Sequence, residues 1–204
     1  MISLSLTRRV MMLGMVLALL LPAAAAMAEK KTDATISFVQ KMGDSALTEL
    51  TDKELNGAER QKRVRELLRK NFDVQTIGRF ALGTHWRSAT EAERKEYLTL
   101  FEDMIVRTYA QRFSEYSGQQ FKVNNARVLN DRDTIVTSQV IQQGGPPIAI
   151  EWRVRNSGGQ PKVIDVFIEN VSMAITQRSD FDAVIQRGGG KVESLLVSLR
   201  GRKK

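Results

Sequence analysis

The spacing of apolar residues changes along this chain, and that change limits the fold more than any other feature. Before Ser117, apolar side chains recur every three or four residues, as on one face of an α-helix. After Gly118 they alternate with polar residues, which is typical of strands with one buried face. Helical spacing returns near the C terminus. This order predicts an α+β domain in which N-terminal and C-terminal helices pack on one face of an antiparallel sheet.

Four helices are predicted before the sheet. The first covers residues 34–50 and a basic second helix covers 58–70. A short third helix follows, with Asn71 or Asp73 as its N-cap. The fourth should be the longest of the chain. It opens with Thr90 and Glu93, which are spaced as a capping box, and its aromatic and aliphatic stripe runs from residue 97 to 116.

The alternating part predicts about four strands joined in order, and two helices close the chain. Turn residues such as Gly144-Gly145-Pro146-Pro147 separate the strands. The closing helices are expected over 180–186 and 192–199, with the three glycines at 188–190 between them. The predicted strands cover residues 120–129, 134–141, 148–155 and 162–168.

The N terminus has the composition of a cleaved secretory signal. Arg8 and Arg9 precede an apolar run over 10–21, and small residues end at Ala28. A membrane anchor is the alternative, but it needs about 20 apolar residues. We therefore expect residues 1–28 to be removed and residues 29–204 to form a single domain. There are no cysteines, so packing alone must hold that domain together.

Residue patterns typical of catalysis are weak in this sequence. His85 is the only histidine, which excludes a histidine pair for zinc. A serine–histidine–aspartate triad built on His85 stays open, and the alternative is a polar residue in the loop before Trp86. The glycines of 188–191 lack the spacing of a phosphate-binding loop. We discount the glycosylation pattern at 170–172, and we expect no metal, no cofactor and no enzymatic activity.

The formal net charge of +8 suits acidic partners, namely lipid headgroups, a membrane surface or nucleic acid. Basic residues cluster at 60–65, 69–70 and 202–204. Nucleic-acid binding favours aromatic residues interleaved with such charges, whereas most aromatics here lie on amphipathic stripes. We therefore expect no nucleic-acid partner.

Two segments resemble a known family. Residues 72–116 contain Leu82-Gly83-x-x-Trp86-Arg87 followed by the capped aromatic helix, and residues 161–202 contain Lys162-Val163-x-Asp165-Val166, Asn170-Val171-Ser172 and Arg178-Ser179-x-Phe181. Both segments are similar to the periplasmic phospholipid-binding shuttle proteins of the Mla (maintenance of lipid asymmetry) and toluene-tolerance type. With the strands between them, the resemblance covers nearly all of the chain after the predicted signal.

The resemblance implies a periplasmic carrier, here expected to be a monomer, that holds phospholipid acyl chains in a cavity between sheet and helices. It would exchange lipid between an outer-membrane lipoprotein–porin complex and an inner-membrane ABC transporter bearing a lipid-binding ring. The basic chain and the Gln177-Arg178-Ser179 string leave open a branch associated with hopanoids. A small α+β hydrolase or isomerase that uses Asp165 as acid or base stays open as well, and so does an adaptor with a filled interior.

The ligand site is expected where apolar faces of the two layers meet, although the same stripes also suit a filled core. Four arginines are the headgroup candidates: Arg79, Arg87, Arg153 and Arg178. The predicted acyl-chain residues are Phe72, Ile77, Phe80, Leu82, Trp86, Tyr97, Phe101, Ile105, Tyr109, Ile150, Trp152, Val154, Val166, Ile168, Val171, Met173 and Phe181.

Overall fold

A computed structural model of the chain describes residues 21–142, 144–156 and 159–201. The first 20 residues of the predicted signal lie outside this part, and cleavage after Ala28 stays a prediction. Among the described residues, no helix has both the length and the apolar character needed to cross a bilayer. The helices are α1 (Leu21–Leu50), α2 (Gly57–Asn71), α3 (Val74–Leu82), α4 (His85–Ser88), α5 (Glu91–Ser114), α6 (Met173–Arg187) and α7 (Val192–Gly201).

The sheet is an antiparallel meander whose strands lie side by side in chain order, so the predicted α+β class is confirmed. The four predicted strands are present with ends that move by about one residue. A fifth, β5, was missed because it has only two residues. The strands are β1 (Gln120–Val128), β2 (Asp133–Ile141), β3 (Ile148–Arg155), β4 (Lys162–Ile168) and β5 (Val171–Ser172).

Side-chain caps fix where several helices begin. Asp73 caps α3 by accepting a hydrogen bond from the Thr76 amide at 2.9 Å, whereas Asn71 is the last residue of α2. The predicted capping box of α5 is present in both directions. The Glu93 amide donates to the Thr90 hydroxyl at 3.2 Å, and the Thr90 amide donates to the Glu93 carboxylate at 2.8 Å. Each cap satisfies an amide that the helix itself leaves unpaired.

Three predictions about the helices were wrong. Helix α1 has 30 residues and exceeds the 24 of α5, so the helix after Thr90 is not the longest. Helix α6 begins at Met173, seven residues before the predicted start, because Ser172 caps it by accepting from the Ile175 amide at 3.1 Å. His85 begins the single-turn helix α4 and does not lie in a loop. The predicted glycine break is confirmed, since α6 ends at Arg187 with Gly188 as its C-cap, and Gly189 has a φ of 75°.

One face of the sheet packs against α1. Directly paired residues of neighbouring strands share a face, and the pairs Val136↔Trp152 and Trp152↔Val166 place these side chains together. From α1, Val39 and Met42 reach the same cluster. We call this the apolar face. Asp133, Arg153 and Arg155 project from the opposite face.

Helices α3, α5, α6 and α7 form a core of their own, whereas α2 packs with the end of α1 and with α5. Tyr97 and Phe101 of α5 stack at 5.7 Å between ring centroids, and Phe181 of α6 meets both rings edge-on at 5.9 and 6.1 Å. The Tyr97 hydroxyl donates to the Gly78 carbonyl at 2.9 Å, which satisfies the polar end of this buried ring. Helices α2, α3 and α6 contact the sheet at β4. The helical core therefore adjoins the sheet near this strand, while α1 packs on β1 and β2.

Candidate functional site

Four apolar side chains of β3 and β4 remain half-buried on the apolar face. They form two cross-strand pairs, Ile150 with Ile168 and Trp152 with Val166, and we call them the apolar strip. Helix α1 packs mainly on β1 and β2, and therefore leaves the strip less covered than the neighbouring Val136, which is fully buried. The strip is a continuous, partly accessible apolar surface of the kind that an alkyl chain can bind.

Trp152 is the centre of the strip. Its indole N–H donates to the Ser138 hydroxyl at 2.8 Å, and that hydroxyl donates to the Ile150 carbonyl at 3.2 Å. The rings of Phe72 and Phe121 meet the indole edge-on at 6.5 and 6.2 Å. Because the one polar group of Trp152 is satisfied within the sheet, the ring offers only apolar surface to a ligand.

Sequence reasoning missed Ser138 and Phe121 as parts of this site. Phe121 lies at an apolar position of the first predicted strand, and that alternation was the signal that could have identified it. Ser138 offered no such signal. Its role depends on register, since it lies opposite Ile150 and only two residues along the sheet from Trp152.

The predicted acyl-chain residues separate into core and accessible groups. Five of them are at most 2% exposed and fill the protein interior: Leu82, Tyr97, Phe101, Val154 and Phe181. Ile77, Trp86 and Ile105 pack against the helical core. Phe72 packs in the sheet cluster beside the strip, and Met173 is half-buried at the start of α6. Phe80, Tyr109 and Val171 are exposed, by 42%, 39% and 53%.

A small depression lies over β2 and β3, mainly on the face opposite the strip. Its volume of about 160 Å³ is below the range of about 300–1,000 Å³ that is usual for small-molecule sites. Since Val39 and Met42 pack with Val136 and Val154, the layers are in contact where the cavity was predicted. A diacyl lipid therefore needs the helical layer and the sheet to move apart. The depression is lined by Asn124, Thr137, Ser138, Gln139, Pro147, Ala149, Ile150, Glu151 and Asn170.

Arg153, a predicted headgroup residue, lies on the face opposite the strip and is bonded to Asp133. Its Nε and Nη2 donate to Asp133 Oδ2 at 2.9 and 2.5 Å, and Arg155 donates to the same carboxylate at 2.8 and 3.0 Å. Asp133 is only 1% exposed. Hydrogen bonds from Arg155, and then from Arg153, hold the pKa of the Asp133 carboxyl well below its usual range. This arrangement gives Arg153 a structural role, and contact with a headgroup would weaken it.

The other three predicted headgroup residues lie on α3, α4 and α6. The Arg79 guanidinium stacks over the Trp86 ring at 5.7 Å, and the Arg178 guanidinium stacks over Phe80 at 5.5 Å. Arg87 is exposed on α4. Arg94 was not predicted from the sequence, although it stacks over Trp86 at 5.5 Å and its Nε donates to the Trp86 carbonyl at 2.8 Å.

Asp165 has a structural environment and does not lie in an apolar pocket. Its carboxylate accepts from the Val166 amide at 2.8 Å, the Ala174 amide at 3.1 Å and the Ser172 hydroxyl at 2.6 Å. These bonds tie β4 to the first turn of α6. These bonds account for the presence of Asp165 and Ser172 at these positions, and no catalytic role is needed to explain them. The turn between β4 and β5 has positive φ angles of 49° and 65° at Glu169 and Asn170, as expected of a two-residue hairpin.

His85 is held by a hydrogen bond to Asp182. Its Nε2 lies 2.7 Å from Asp182 Oδ1, which links α4 to α6, and hydrogen bonding to His85 lowers the pKa of Asp182. Over the described part of the chain, no group of three or more histidine or acidic side chains is arranged to hold a metal ion.

Comparison with known proteins identifies relatives along most of the chain. A family model described as MlaC protein matches residues 40–201. The intermembrane phospholipid transport system binding protein MlaC of Haemophilus influenzae is 26% identical over 141 residues, which are 67% of this chain and 65% of that protein. Toluene tolerance protein ttg2D of Pseudomonas putida is 22% identical over 115 residues, 56% of this chain and 54% of that protein. The match thus spans less than two thirds of each curated relative.

A solved structure is also similar. The phospholipid-binding protein of Ralstonia solanacearum, determined in complex with a phospholipid, matches with a TM-score of 0.70 and 27% identity. The match covers 81% of this chain and 94% of that one. The similarity therefore extends over most of this chain and nearly all of that one.

Proposed function

The chain belongs to the MlaC protein family, and from this membership we propose that it is a phospholipid carrier whose acyl-chain site is built on the apolar strip. The observation that carries the proposal is the half-buried strip of Ile150, Trp152, Val166 and Ile168 in a fold that matches a phospholipid-bound protein. The names of the relatives from Haemophilus influenzae and Pseudomonas putida support the same function.

The physical task of such a carrier is to keep acyl chains out of water. Exposing about 30 methylenes of a diacyl lipid costs on the order of 24 kcal/mol, at about 0.8 kcal/mol each. A dry apolar site in the protein removes most of this cost. Transfer between bilayer and protein is then nearly neutral, and small differences in affinity set its direction. No covalent step is needed, and we propose that the protein is not an enzyme.

Lipid entry requires α1 to move relative to the sheet. The contacts that must open are those of Val39 and Met42 with Val136 and Val154. They are purely apolar, so acyl chains that replace them restore the same type of contact. We propose that the empty protein is closed by these side chains and that bound lipid holds the layers apart.

We further propose that the carrier works in the periplasm as a monomer after removal of residues 1–28. There it would pass lipid between an outer-membrane lipoprotein–porin complex and an inner-membrane ABC transporter with a lipid-binding ring. A ligand related to hopanoids is the alternative cargo, and the mass of the bound molecule distinguishes the two.

The proposal is tested by native mass spectrometry of the chain exported to a bacterial periplasm. We expect about one phospholipid per chain, and the protein mass also reports whether cleavage occurs after Ala28. In the double variant Ile150→Asp and Ile168→Asp, carboxylates occupy the strip, and we expect lipid occupancy to fall by about tenfold or more. Val197→Asp is the control, because Val197 is 56% exposed on α7. Empty wild-type protein that also takes up no lipid from liposomes would contradict the proposal.

A further inference from the structure

Three exposed apolar side chains lie near the junction of α3, β5 and α6. Phe80, Val171 and Ile175 are 42%, 53% and 56% exposed. Ile175 lies one turn before Arg178 on the same side of α6, and Arg178 covers the ring of Phe80 at 5.5 Å. We call Phe80, Val171, Ile175 and Arg178 the α3–α6 patch. Such an apolar group on a surface calls for an explanation.

Arg79 and Arg178 are arranged like arginines at the boundary between water and the hydrocarbon of a bilayer. Arg178 stacks on Phe80, and Arg79, the neighbour of Phe80 in α3, stacks on Trp86 at 5.7 Å. A stacked guanidinium keeps its charge in water while its stem covers apolar surface. Aromatic and aliphatic side chains flanked by basic ones are typical of surfaces that lie in the headgroup region of a bilayer.

Most acidic groups near the patch are hydrogen-bonded or directed away, although the Asp182 carboxylate stays exposed. Asp182, one turn after Arg178, lies 2.7 Å from His85 Nε2, its side chain is 53% exposed, and its charge interacts with Arg178. The Glu169 carboxylate accepts from the Ala149 amide at 2.6 Å. Asp180 lies two residues after Arg178 and therefore about 200° around the helix. Removal of the predicted signal, which contains two arginines and no acidic residue, leaves a formal net charge of about +6, and this excess favours an anionic surface.

The patch is also continuous with the apolar strip. Val171 pairs with Ile168, and Ile168 pairs with Ile150, so these three side chains form one row across β5, β4 and β3. The row runs from the exposed edge of the sheet to the half-buried strip. An acyl chain leaving the strip along this row would emerge at the patch.

We infer that the α3–α6 patch is the surface by which this protein lies on an anionic phospholipid bilayer, with Phe80, Val171 and Ile175 inserted among the headgroups and Arg178 against lipid phosphates. Bilayer binding does not depend on lipid uptake. The further role of the patch as the exit for cargo rests on the proposed function.

Vesicle co-sedimentation tests the inference. We expect the exported chain to bind phosphatidylcholine vesicles containing about 30% phosphatidylglycerol, to bind pure phosphatidylcholine far less, and to be released by salt. The double variant Phe80→Ser and Ile175→Ser should bind the anionic vesicles about tenfold more weakly, and Arg178→Gln about fivefold more weakly. Because these side chains are exposed, circular dichroism should show unchanged folding.

Two exposed apolar residues elsewhere provide matched controls. Leu129 in the β1–β2 turn is 44% exposed, close to Phe80, and Val197 on α7 is 56% exposed, the same as Ile175. Their serine variants should keep binding within about twofold. Wild-type protein that ignores anionic vesicles, a double variant that binds like wild type, or an equal loss in Leu129→Ser would each overturn the inference.

Native mass spectrometry of the same samples separates this inference from the proposed function. Protein that binds vesicles through the patch but never carries lipid would leave the inference standing and remove the carrier. Lipid-loaded protein that does not bind vesicles would support the proposed carrier and overturn the inference about the patch.

Discussion

Replacing Asp133 by asparagine should destabilise the domain strongly at neutral pH and much less in acid. The carboxylate is 1% exposed and accepts four N–H bonds from Arg153 and Arg155. Removing one partner of a buried ion pair costs about 3–5 kcal/mol. Here the two arginine side chains remain 34% and 27% exposed, so water can solvate the released guanidinium groups. We therefore expect a loss of about 2–3 kcal/mol in the free energy of unfolding.

The dependence on pH follows from the direction of the pKa shift. The folded state lowers the pKa of Asp133, so the carboxylate contributes its full stabilisation above the ordinary aspartate pKa of about 4. As the pH falls below that value, the unfolded chain binds a proton first, and the contribution is lost progressively down to the folded pKa. The difference between wild type and Asp133→Asn should therefore shrink below about pH 4.

Urea unfolding at about pH 7, 5 and 3 measures both effects. Asp131→Asn is the control, because Asp131 is an exposed neighbour in the same turn. A loss below about 0.5 kcal/mol at neutral pH, or a difference that stays constant down to about pH 3, would refute the reasoning. The same variant tests the role of Arg153, because it releases Arg153 from Asp133. Lower stability with unchanged lipid occupancy would identify the ion pair as structural, and higher occupancy would favour a headgroup role.

Two further predictions concern packing and capping. Gly43→Ala should lower the free energy of unfolding by about 1–3 kcal/mol, because the new Cβ would lie 2.4 Å from the Phe121 ring. Gly57→Ala is the control and should be neutral or stabilising, because its Cβ would meet no atom within 4 Å. Thermal melts measure both variants, and equal melting temperatures would contradict the prediction. Asp165→Asn should lower the free energy of unfolding by about 1–2 kcal/mol, because the first turn of α6 loses hydrogen bonds to the carboxylate, and it should leave lipid occupancy unchanged. An enzymatic turnover that this substitution abolished would instead favour a hydrolase.

The fold was predictable because local signals agreed with one another. The capping box at Thr90 and the turn at Gly144 gave boundaries that the structure confirms. The start of α6 was not predictable in the same way. Its first seven residues include the polar residues Thr176, Gln177 and Ser179, so no helical apolar pattern identifies this segment as a helix. The local Ser172 cap is reinforced by a tertiary contact that the sequence does not reveal, since Asp165 on β4 accepts from the Ala174 amide.

The candidate site was harder to predict because alternation identifies a face without measuring how fully that face is covered. Ile150, Trp152 and Val154 follow one another on the same face of β3 and look equivalent in sequence. Only Val154 is fully buried. A pattern of apolar residues therefore includes both the core and the site, and the prediction accordingly mixed Tyr97 and Phe101, which fill the helical core, with the strip.

Incomplete coverage is itself the property that a carrier needs. A sheet face that the protein's own helices bury completely has no surface left for a ligand, and a fully exposed one would aggregate. Here α1 protects β1 and β2, while the strip on β3 and β4 stays half-covered and continues to the exposed Val171. In the proposed carrier, the apolar surface that binds an acyl chain therefore lies at the edge of a stable core. Variants that complete the core there should raise stability at the expense of lipid occupancy, whereas variants in the helical core should lower stability first.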